Sequence, residues 1–463
     1  MPSKTLLIGL DGAEPDLLIK WSQEGLLPTI KSILEDWYHT PIVTDKGFGD
    51  GVFWNTLATG VGVGKHGRYF SVQYNPSICQ IDSFAIDTDL GHDPFWYYCS
   101  KMGAKVGIVD MFLAPLSNGL NGIQVADWMT HDRPEVPRSW PASFINTLSE
   151  KYGVDPLDGD SEAISRTEQE SVKLHQDIID RIQIKTHACT DLLRDNQWDL
   201  FCVCYCEPHD IGHQSWHWHD QSSPNHPKQS RDQYGDPVLQ TYQALDQAIK
   251  ETIDDSGAEN IYLVAGLGMT QQSAFNSIIQ RVLGHYCGKK GSRKNLTEER
   301  RQMPYFEVPH NMNAAAIRIN LKGRDAFGIV EKEDYEKVCA ELTVKLEQLC
   351  DADTGEPIVD SVTKIHEFHT GKFVDRLPDL FVNWVKPIST QRVRVDAETV
   401  FELEHIFGAE FRTGDHTDHA LFASNIQYQD QVVTTEAIAP TICRSIGINL
   451  PETDANDLLS IIN

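Results

Sequence analysis

The polar segment of residues 207–213 combines metal-binding residue types with a spacing that brings them together. His209 and His213 are four residues apart, so one helical turn would place both imidazoles on the same face. Two neutral imidazoles at this spacing suit zinc or a similar borderline metal. The segment directly follows an apolar run at residues 198–206. We therefore expect a metal site here, and the alternative is a solvated polar loop.

Two further segments carry candidate metal ligands. Asp11 directly follows the apolar run of residues 5–10, so the end of a buried strand would hold its carboxylate rigidly. The alternative is that Asp11 only caps the following loop. His416 lies in a polar turn at residues 412–419, which on its own fits a surface loop as well as a site. Ligands in open α/β sheets lie beyond the carboxyl ends of strands, where both segments would be placed.

A glycine-rich segment at residues 49–67 contains a third candidate, Asp50, between Gly49 and Gly51. Glycine lets a backbone approach a ligand closely. Helix N-termini also favour anions, and this segment precedes a helical pattern. The segment therefore indicates a ligand-binding turn.

The elements that would position these side chains alternate between strands and helices. Short apolar runs predict buried strands at residues 5–10, 106–111, 198–206 and 260–265. Helical patterns occur at residues 14–24, 171–193, 237–253 and 437–447. This order predicts an α/β fold with a mostly parallel sheet and helices on both faces. The polar, turn-rich residues 134–165 are expected to form a surface excursion.

Residues 281–386 depart from this alternation and predict an inserted smaller subdomain that borders the site. They contain a basic, glycine-containing stretch, a strand-like segment at residues 314–320 and a helical one at residues 335–349. We therefore expect residues 1–280 to form the first part of the core. Residues 387–463 would return to the core and carry the last metal-binding segment.

The charge of the chain limits its partners. Its 463 residues carry a formal net charge of −27, which repels nucleic acid and anionic membranes. An anionic substrate would need metal ions or clustered basic side chains at the site. No apolar run approaches the roughly 18 residues that span a bilayer, and no signal peptide precedes the fold. We expect a cytoplasmic protein that acts on a small molecule and binds neither nucleic acid nor membrane, and the oligomeric state is left open.

The ten cysteines do not form a compact disulfide framework, and no C-x-x-C pair occurs. Cys202, Cys204 and Cys206 alternate, so a strand would place them on one face. We expect them to act as small buried apolar residues. A thiolate metal site is the alternative.

Taken in order, these segments resemble the alkaline phosphatase superfamily, in particular its type I phosphodiesterase/nucleotide pyrophosphatase branch. The resemblance covers nearly the whole chain and rests on the ordered set of motifs. These are Gly9-Leu10-Asp11-Gly12 with Leu27-Pro28-Thr29, the W-x-x-x-x-T-G and G-K-H-G patterns within Trp54 to Gly67, Gly212-His213, Pro378-Asp379-Leu380, Gly414-Asp415-His416 and Ala439-Pro440-Thr441-Ile442. The resemblance implies a two-metal hydrolase in which a Thr or Ser attacks phosphorus.

The chain departs from the family pattern in three places. Asp50 stands where the nucleophilic Thr or Ser is expected, and a carboxylate cannot copy an alkoxide. His209 stands where the family has a ligand Asp, which with His213 and His416 would give a three-imidazole set. Residues 265–269 replace the family's S-D-H-G-M, so the Asp and His ligands of the second metal are missing. We therefore expect one well-formed metal site.

The leading hypothesis is a metal-dependent hydrolase of a phosphoester, phosphodiester or phosphonate without a Ser or Thr nucleophile. One divalent metal, expected to be zinc, would be held by His209, His213 and His416 with Asp11. Asp50 or Glu207 would be the general base. The alternatives are a metal-dependent lyase or transferase acting on a non-phosphorus substrate, and a non-catalytic relative that kept the fold.

Overall fold

The structure is a computed structural model of the chain. It describes residues 4–131, 133, 136–158, 166–223, 225–273, 275–289, 296–310, 314–385, 390–403, 412–429 and 431–459, without the side chains of 296 and 297. The strands in this part are β1 (Thr5–Leu10), β2 (Tyr38–Val43), β3 (Val72–Asn75), β4 (Gln80–Ser83), β5 (Val106–Val109), β6 (Gly122–Ala126), β7 (Arg138–Trp140), β8 (Leu200–Tyr205), β9 (Asn260–Ala265), β10 (Met269–Gln271), β11 (Tyr305–Val308), β12 (Ala314–Ile319), β13 (Cys350–Asp351), β14 (Val359–Lys364), β15 (Leu380–Trp384), β16 (Arg392–Arg394), β17 (Val400–Glu402), β18 (Gly414–His416), β19 (Leu421–Ser424) and β20 (Val433–Thr434).

The helices in the same part of the chain follow the amphipathic segments. They are α1 (Pro15–Gln23), α2 (Pro28–Asp36), α3 (Asp50–Thr59), α4 (Val63–His66), α5 (Ile86–Asp89), α6 (Phe95–Lys101), α7 (Phe144–Tyr152), α8 (Glu168–Asp195), α9 (Glu207–His219), α10 (Lys228–Tyr234), α11 (Pro237–Ser256), α12 (Ile279–Tyr286), α13 (Leu296–Gln302), α14 (Tyr335–Glu347) and α15 (Ile438–Ser445). None of the described helices is both long and apolar enough to cross a membrane.

A large mixed sheet forms the centre of the molecule. Among the described residues its strand order is β20-β2-β19-β9-β1-β8-β5-β6-β7. The central strands β9, β1, β8, β5 and β6 run parallel to one another, whereas β19 pairs antiparallel with β9 and β7 pairs antiparallel with β6. The parallel centre places the carboxyl ends of β1, β8 and β9 side by side, which is where the candidate ligands follow.

Alternating side chains of β1 explain why the sheet is covered on both faces. Leu7 packs into one apolar cluster with Trp54 and α15. Leu6 and Ile8 pack into another cluster with α8 and α11. Because both faces of the strand are apolar and fully buried, helices must cover both sides. The predicted α/β class is confirmed.

A smaller unit with its own core lies within the C-terminal half. Strands β11, β12, β15 and β14 form an antiparallel sheet, and β13, β16 and β17 form a second one. The apolar cluster of this unit runs from Phe275 to Leu403, so it includes residues on both sides of the predicted 281–386 segment. A further cluster, including Phe48, Val52 and Phe381, packs this unit against the segment before α3. The smaller unit therefore borders the region that carries Asp50.

The predicted surface excursion at residues 134–165 is partly wrong. Arg138–Trp140 forms β7, which extends the main sheet beside β6. Phe144–Tyr152 forms α7, which packs Leu148 against Val125 and Ala188. The polar sequence did not predict these short elements, because an edge strand and a helix that buries only one face need few apolar residues. The rest of the segment includes residues outside the described part of the chain.

Candidate metal centre and active site

Three buried imidazoles meet beyond the carboxyl end of the central sheet. His209 and His213 lie one turn apart on α9, and His416 ends β18. The ring centroids lie 4.4 Å apart for His209 and His213, 4.6 Å for His209 and His416, and 5.0 Å for His213 and His416. One nitrogen from each ring lies within 4.8 Å of the other two. The structure thus brings together the three predicted histidines, although His416 lies about two hundred residues after the other two in the sequence.

Backbone carbonyls set the orientation of two of these rings. His213 Nδ1 lies 2.7 Å from the Gly414 carbonyl, and His416 Nδ1 lies 3.3 Å from that of Leu267. Because a carbonyl only accepts, Nδ1 carries the proton in each neutral ring and Nε2 carries the lone pair. A carbonyl partner of this kind is the usual support for a metal-binding histidine.

Burial keeps these rings neutral. It lowers the pKa of His213 well below its usual value, and the nearby His209 and His416 lower it further. Burial also lowers the pKa of His416 to about 4, although Asp50 acts in the opposite direction. A metal ligand must be deprotonated, so both imidazoles are in the form that binds a cation.

Two glycines allow α9 and β18 to approach each other. A Cβ on Gly212 would lie 2.7 Å from the Met269 side chain, and one on Gly414 would lie 2.4 Å from the Gly212 carbonyl oxygen. Met269 pairs with His416 in the β10–β18 ladder. Side chains at either glycine would therefore push His416 away from the helix that carries the other two histidines.

Asp50 faces this cluster. It is the first residue of α3, and Gly49 occupies the N-cap position. Asp50 Oδ2 lies 3.8 Å from His209 Nδ1, and Oδ1 lies 4.0 Å from His416 Nε2. The side chain is 4% exposed. The carboxylate therefore points at the imidazoles, and Gly49 rather than Asp50 occupies the N-cap position.

The carboxylate of Asp11 contacts three side chains, those of Trp54, His131 and His209. Its Oδ1 accepts from Trp54 Nε1 at 2.5 Å, and its Oδ2 lies 3.1 Å from His131 Nε2 and 3.0 Å from His209 Nδ1. Burial alone would raise the pKa of Asp11, but His209 and His131 outweigh it and hold the pKa well below the usual range. Asp11 therefore lies beside the three-imidazole cluster and supports His209 directly.

The segment that lost the family's second-metal ligands is filled by other side chains. A Cβ on Gly266 would lie 3.0 Å from the Trp54 ring. A Cβ on Gly268 would lie 2.1 Å from a carboxylate oxygen of Glu14. Leu267 is buried in the apolar core. Within the described residues, no group of possible metal ligands includes residues 266–269.

The predicted role of Glu207 as a general base is not supported by its position. Its Oε1 lies 3.1 Å from Arg181 Nε and 3.4 Å from Lys185 Nζ, and all three side chains are fully buried. Arg181 also pairs with Asp210. Glu207 thus anchors the start of α9 to α8 through structural ion pairs, while Asp50 faces the imidazoles.

Sequence reasoning missed His131, and it interpreted Cys206 as a small buried apolar residue with a thiolate metal site as the alternative. His131 is fully buried, and its ring stacks on that of His209 with centroids 3.7 Å apart. It follows β6 by five residues, so the strand-end rule applied to β6 would have found it. Burial raises the pKa of Cys206, but hydrogen bonds with Cys204 and His131 outweigh it and lower the pKa to about 6. With Asp11, these side chains form a second cluster of metal-binding types.

The two other histidines of α9, His217 and His219, face elsewhere. His217 Nδ1 lies 3.0 Å from the Thr413 hydroxyl, and His219 Nδ1 lies 2.8 Å from Asp236 Oδ2. Neither belongs to a group of possible metal ligands in the described part of the chain. These two histidines stabilise the packing around α9.

A cavity of about 780 Å³ opens beside Asp50. Three guanidinium groups line it, from Arg68, Arg133 and Arg412, together with two carboxylates, from Asp50 and Asp87, and with apolar, aromatic and small residues. Arg412 Nη1 lies 3.5 Å from His213 Nε2, so this arginine of the cavity contacts the imidazole cluster. In a chain of such negative charge, this concentration of arginine creates a local site for an anion.

Comparison with known proteins supports the resemblance seen in the sequence. The family model for type I phosphodiesterase/nucleotide pyrophosphatase matches residues 5–388. No curated protein matches the sequence. Phosphonoacetate hydrolase from Sinorhizobium meliloti 1021, solved with phosphonoformate, has a similar structure at 16% identity, with a TM-score of 0.58 and coverage of 96% of this chain and 95% of that one.

A mammalian structure has the same fold. It is murine ectonucleotide pyrophosphatase/phosphodiesterase 5, solved as an inactive variant with AMP. Its identity is 14%, its TM-score is 0.54, and coverage is 98% of this chain and 97% of that one. At such identities the likeness establishes the fold alone.

Proposed function

The chain belongs to the type I phosphodiesterase/nucleotide pyrophosphatase family, and on that premise we propose that it is a metal-dependent hydrolase of a small, anionic phosphorus compound. The substrate class is a phosphoester, phosphodiester or phosphonate. The observation that carries the proposal is the convergence of three buried imidazoles on one point with Asp50 beside them.

The side chains present fit a divalent metal. Three imidazole nitrogens are a common ligand set for catalytic zinc, which keeps a further position for water or substrate. His213 and His416 each turn a lone pair away from the carbonyl that holds Nδ1. We assign His209, His213 and His416 as the ligands of the main metal, and Asp11 as the carboxylate that fixes His209. Zinc is the expected ion because imidazole ligands favour it over magnesium and calcium.

A divalent cation held by His209, His213 and His416 would supply Lewis-acid polarisation of the phosphoryl group. Asp50 accepts the proton of the attacking water, since its carboxylate faces the imidazoles and no hydroxyl stands at this position. Arg68 and Arg412 bind the negative charge of the substrate in the adjacent cavity. An aspartate in place of a hydroxyl nucleophile implies direct attack by water, without a phosphoserine-like or phosphothreonine-like enzyme intermediate.

Metal content tests the first part of this proposal. Protein purified without chelator should contain zinc by elemental analysis, and the His209→Ala plus His213→Ala variant should lose the metal of this centre. The matched control is His217→Ala plus His219→Ala, which removes two histidines from the same helix outside the cluster. Unchanged metal content in the first variant would overturn the assignment.

Turnover tests the second part. The zinc-loaded enzyme should release product from at least one member of a panel of bis(p-nitrophenyl) phosphate, p-nitrophenyl phosphate, p-nitrophenyl phenylphosphonate and phosphonoacetate. The Arg412→Gln variant should raise KM for the accepted substrate, because the cavity loses a positive charge. Loaded protein that hydrolyses no phosphorus compound while the metal is bound would refute the reaction class and leave the metal assignment intact.

A further inference from the structure

The cluster of Asp11, His131 and Cys206 lies next to the main centre, and its His131 and Cys206 have no role in the proposed reaction. One ligand atom from each of the three lies within 4.8 Å of the other two, and all three residues are buried. They come from three different strand ends, after β1, β6 and β8. Because these strands are far apart in sequence, only the fold brings the three side chains together.

The buried carboxylate of Asp11 favours the binding of a cation in this cluster. The ion pairs of Asp11 in the described structure involve only His131 and His209, neither of which carries a permanent charge. The nearby Lys185 has its ammonium group within 3.8 Å of Asp110 and 3.4 Å of Glu207, so other carboxylates already neutralise it. A cation bound by Asp11 would add a permanent opposite charge to the imidazole contacts that already stabilise this buried carboxylate.

The donor set itself suits zinc. Thiolate sulfur, imidazole nitrogen and carboxylate oxygen are its three protein ligand types. Ligand bonds of about 2.0–2.3 Å in a tetrahedral site place neighbouring ligand atoms roughly 3.3–3.7 Å apart. The 3.1 Å between Asp11 Oδ2 and His131 Nε2 is already close to that separation. The Thr130 hydroxyl lies 3.2 Å from Cys206 Sγ and acts as a donor to the sulfur from outside the cluster.

From this arrangement we propose that Asp11, His131 and Cys206 form a second cation site, chemically suited to zinc, beside the three-imidazole centre. It is distinct from the family's second-metal position, because its His and Cys lie on the β6–β8 side of Asp11 while residues 266–269 lie beyond β9 on the other side. The shared contact of Asp11 with His131 and His209 couples the two sites.

Metal stoichiometry and cobalt spectroscopy test this site without reference to turnover. The wild-type protein should bind two zinc ions per chain, and the Cys206→Ser and His131→Ala variants should each bind one. With Co²⁺ in place of Zn²⁺, thiolate ligation should give a near-ultraviolet sulfur-to-cobalt charge-transfer band that Cys206→Ser abolishes. Cys202→Ser is the matched control, because Cys202 is buried on the same strand face but lies outside the cluster.

The outcomes separate this site from the main one. A His213→Ala plus His416→Ala variant should lose one ion and keep the cobalt–sulfur band. The second site would be overturned if the wild type bound one ion per chain, showed no cobalt–sulfur band, and had the same metal content as the folded Cys206→Ser variant. The main centre would stand in that case. The reverse result, an ion that depends on Cys206 but not on His213 and His416, would remove the main centre and leave the second site. Thermal unfolding of each variant verifies that it is folded.

Discussion

Replacing Arg181 by methionine tests whether buried ion pairs hold the metal-binding helix in place. Arg181 lies on α8 with no exposed surface, and its guanidinium contacts Glu207 at 3.1 Å, Asp155 at 3.7 Å and Asp210. Methionine has similar length but no charge. It would leave the Asp210 carboxylate buried without this guanidinium, while Lys185 still neutralises Glu207. Removing one partner of a buried pair costs about 3–5 kcal/mol, which is the expected loss in the free energy of unfolding.

The same change should reach the metal centre. Glu207 and Asp210 flank His209 on α9, so the helix turn that carries the ligand loses its anchor. Mutation of a residue that supports a metal ligand typically lowers metal affinity by about 10–100-fold. We expect a decrease in zinc affinity of that size for Arg181→Met. A competition assay with a fluorescent zinc chelator measures the affinity, and urea unfolding measures the stability.

The control for this variant is Arg194→Met on the same helix. Arg194 is half-exposed and pairs with Asp191 and Asp255, so its loss should cost about 0–1 kcal/mol. Adding Asp210→Asn to Arg181→Met should recover part of the stability, because it removes the buried charge. Equal losses for Arg181→Met and Arg194→Met, or unchanged zinc affinity, would refute the reasoning.

Three further predictions concern the site and its surroundings. Asp50→Asn should lower kcat by about 100–10,000-fold at an unchanged melting temperature, and retention of full turnover would exclude its role as the base. Burial lowers the pKa of His66 in the folded protein to about 3, and the ring Nδ1 accepts a hydrogen bond from the Arg68 backbone N–H. Between pH 6.5, the usual pKa of histidine, and pH 3, this side chain therefore takes up a proton only in the unfolded chain. The difference in the free energy of unfolding between wild type and His66→Gln should therefore fall by about 2 kcal/mol between about pH 7 and about pH 5. Urea unfolding of both proteins at both pH values measures this difference, and a constant difference would contradict the prediction. Zinc at about 100 times its Kd should raise the free energy of unfolding by about 2.7 kcal/mol for each site, and therefore by about 5.4 kcal/mol in the wild type with both sites filled. In the cysteine- and imidazole-site variants, calorimetry should show less than that gain, and an equal gain would argue against specific binding.

The sequence predicted the main elements well where the apolar pattern was continuous. The strand at residues 5–10 and the strand at residues 260–265 have the predicted bounds. The helix predicted at residues 171–193 extends to Glu168–Asp195, because the capping box at Thr167 starts it earlier. These elements are long or fully buried, so their pattern is strong enough to define them without tertiary information.

The site was predicted where a ligand and its partner lie close in sequence. His209 and His213 follow from helical spacing alone, while the placement of His416 came from the family resemblance. His131 was missed because its contact with Asp11 joins residues that are 120 positions apart. The misassigned role of Glu207 has the same origin, since only the fold shows that Arg181 and Lys185 surround its carboxylate.

The indole of Trp54 makes the loss of the family's second-metal ligands difficult to reverse by single substitutions. An aspartate at position 266 would have to place its Cβ 3.0 Å from the Trp54 ring. A smaller residue at position 54 would open that space but would remove the donor that Asp11 accepts from at 2.5 Å. A side chain at position 266 would therefore have to displace the Trp54 ring, and any displacement of that ring would act on the Asp11 carboxylate through the indole N–H. The spacing between β9 and α3 thus ties what position 266 can hold to the orientation of Asp11.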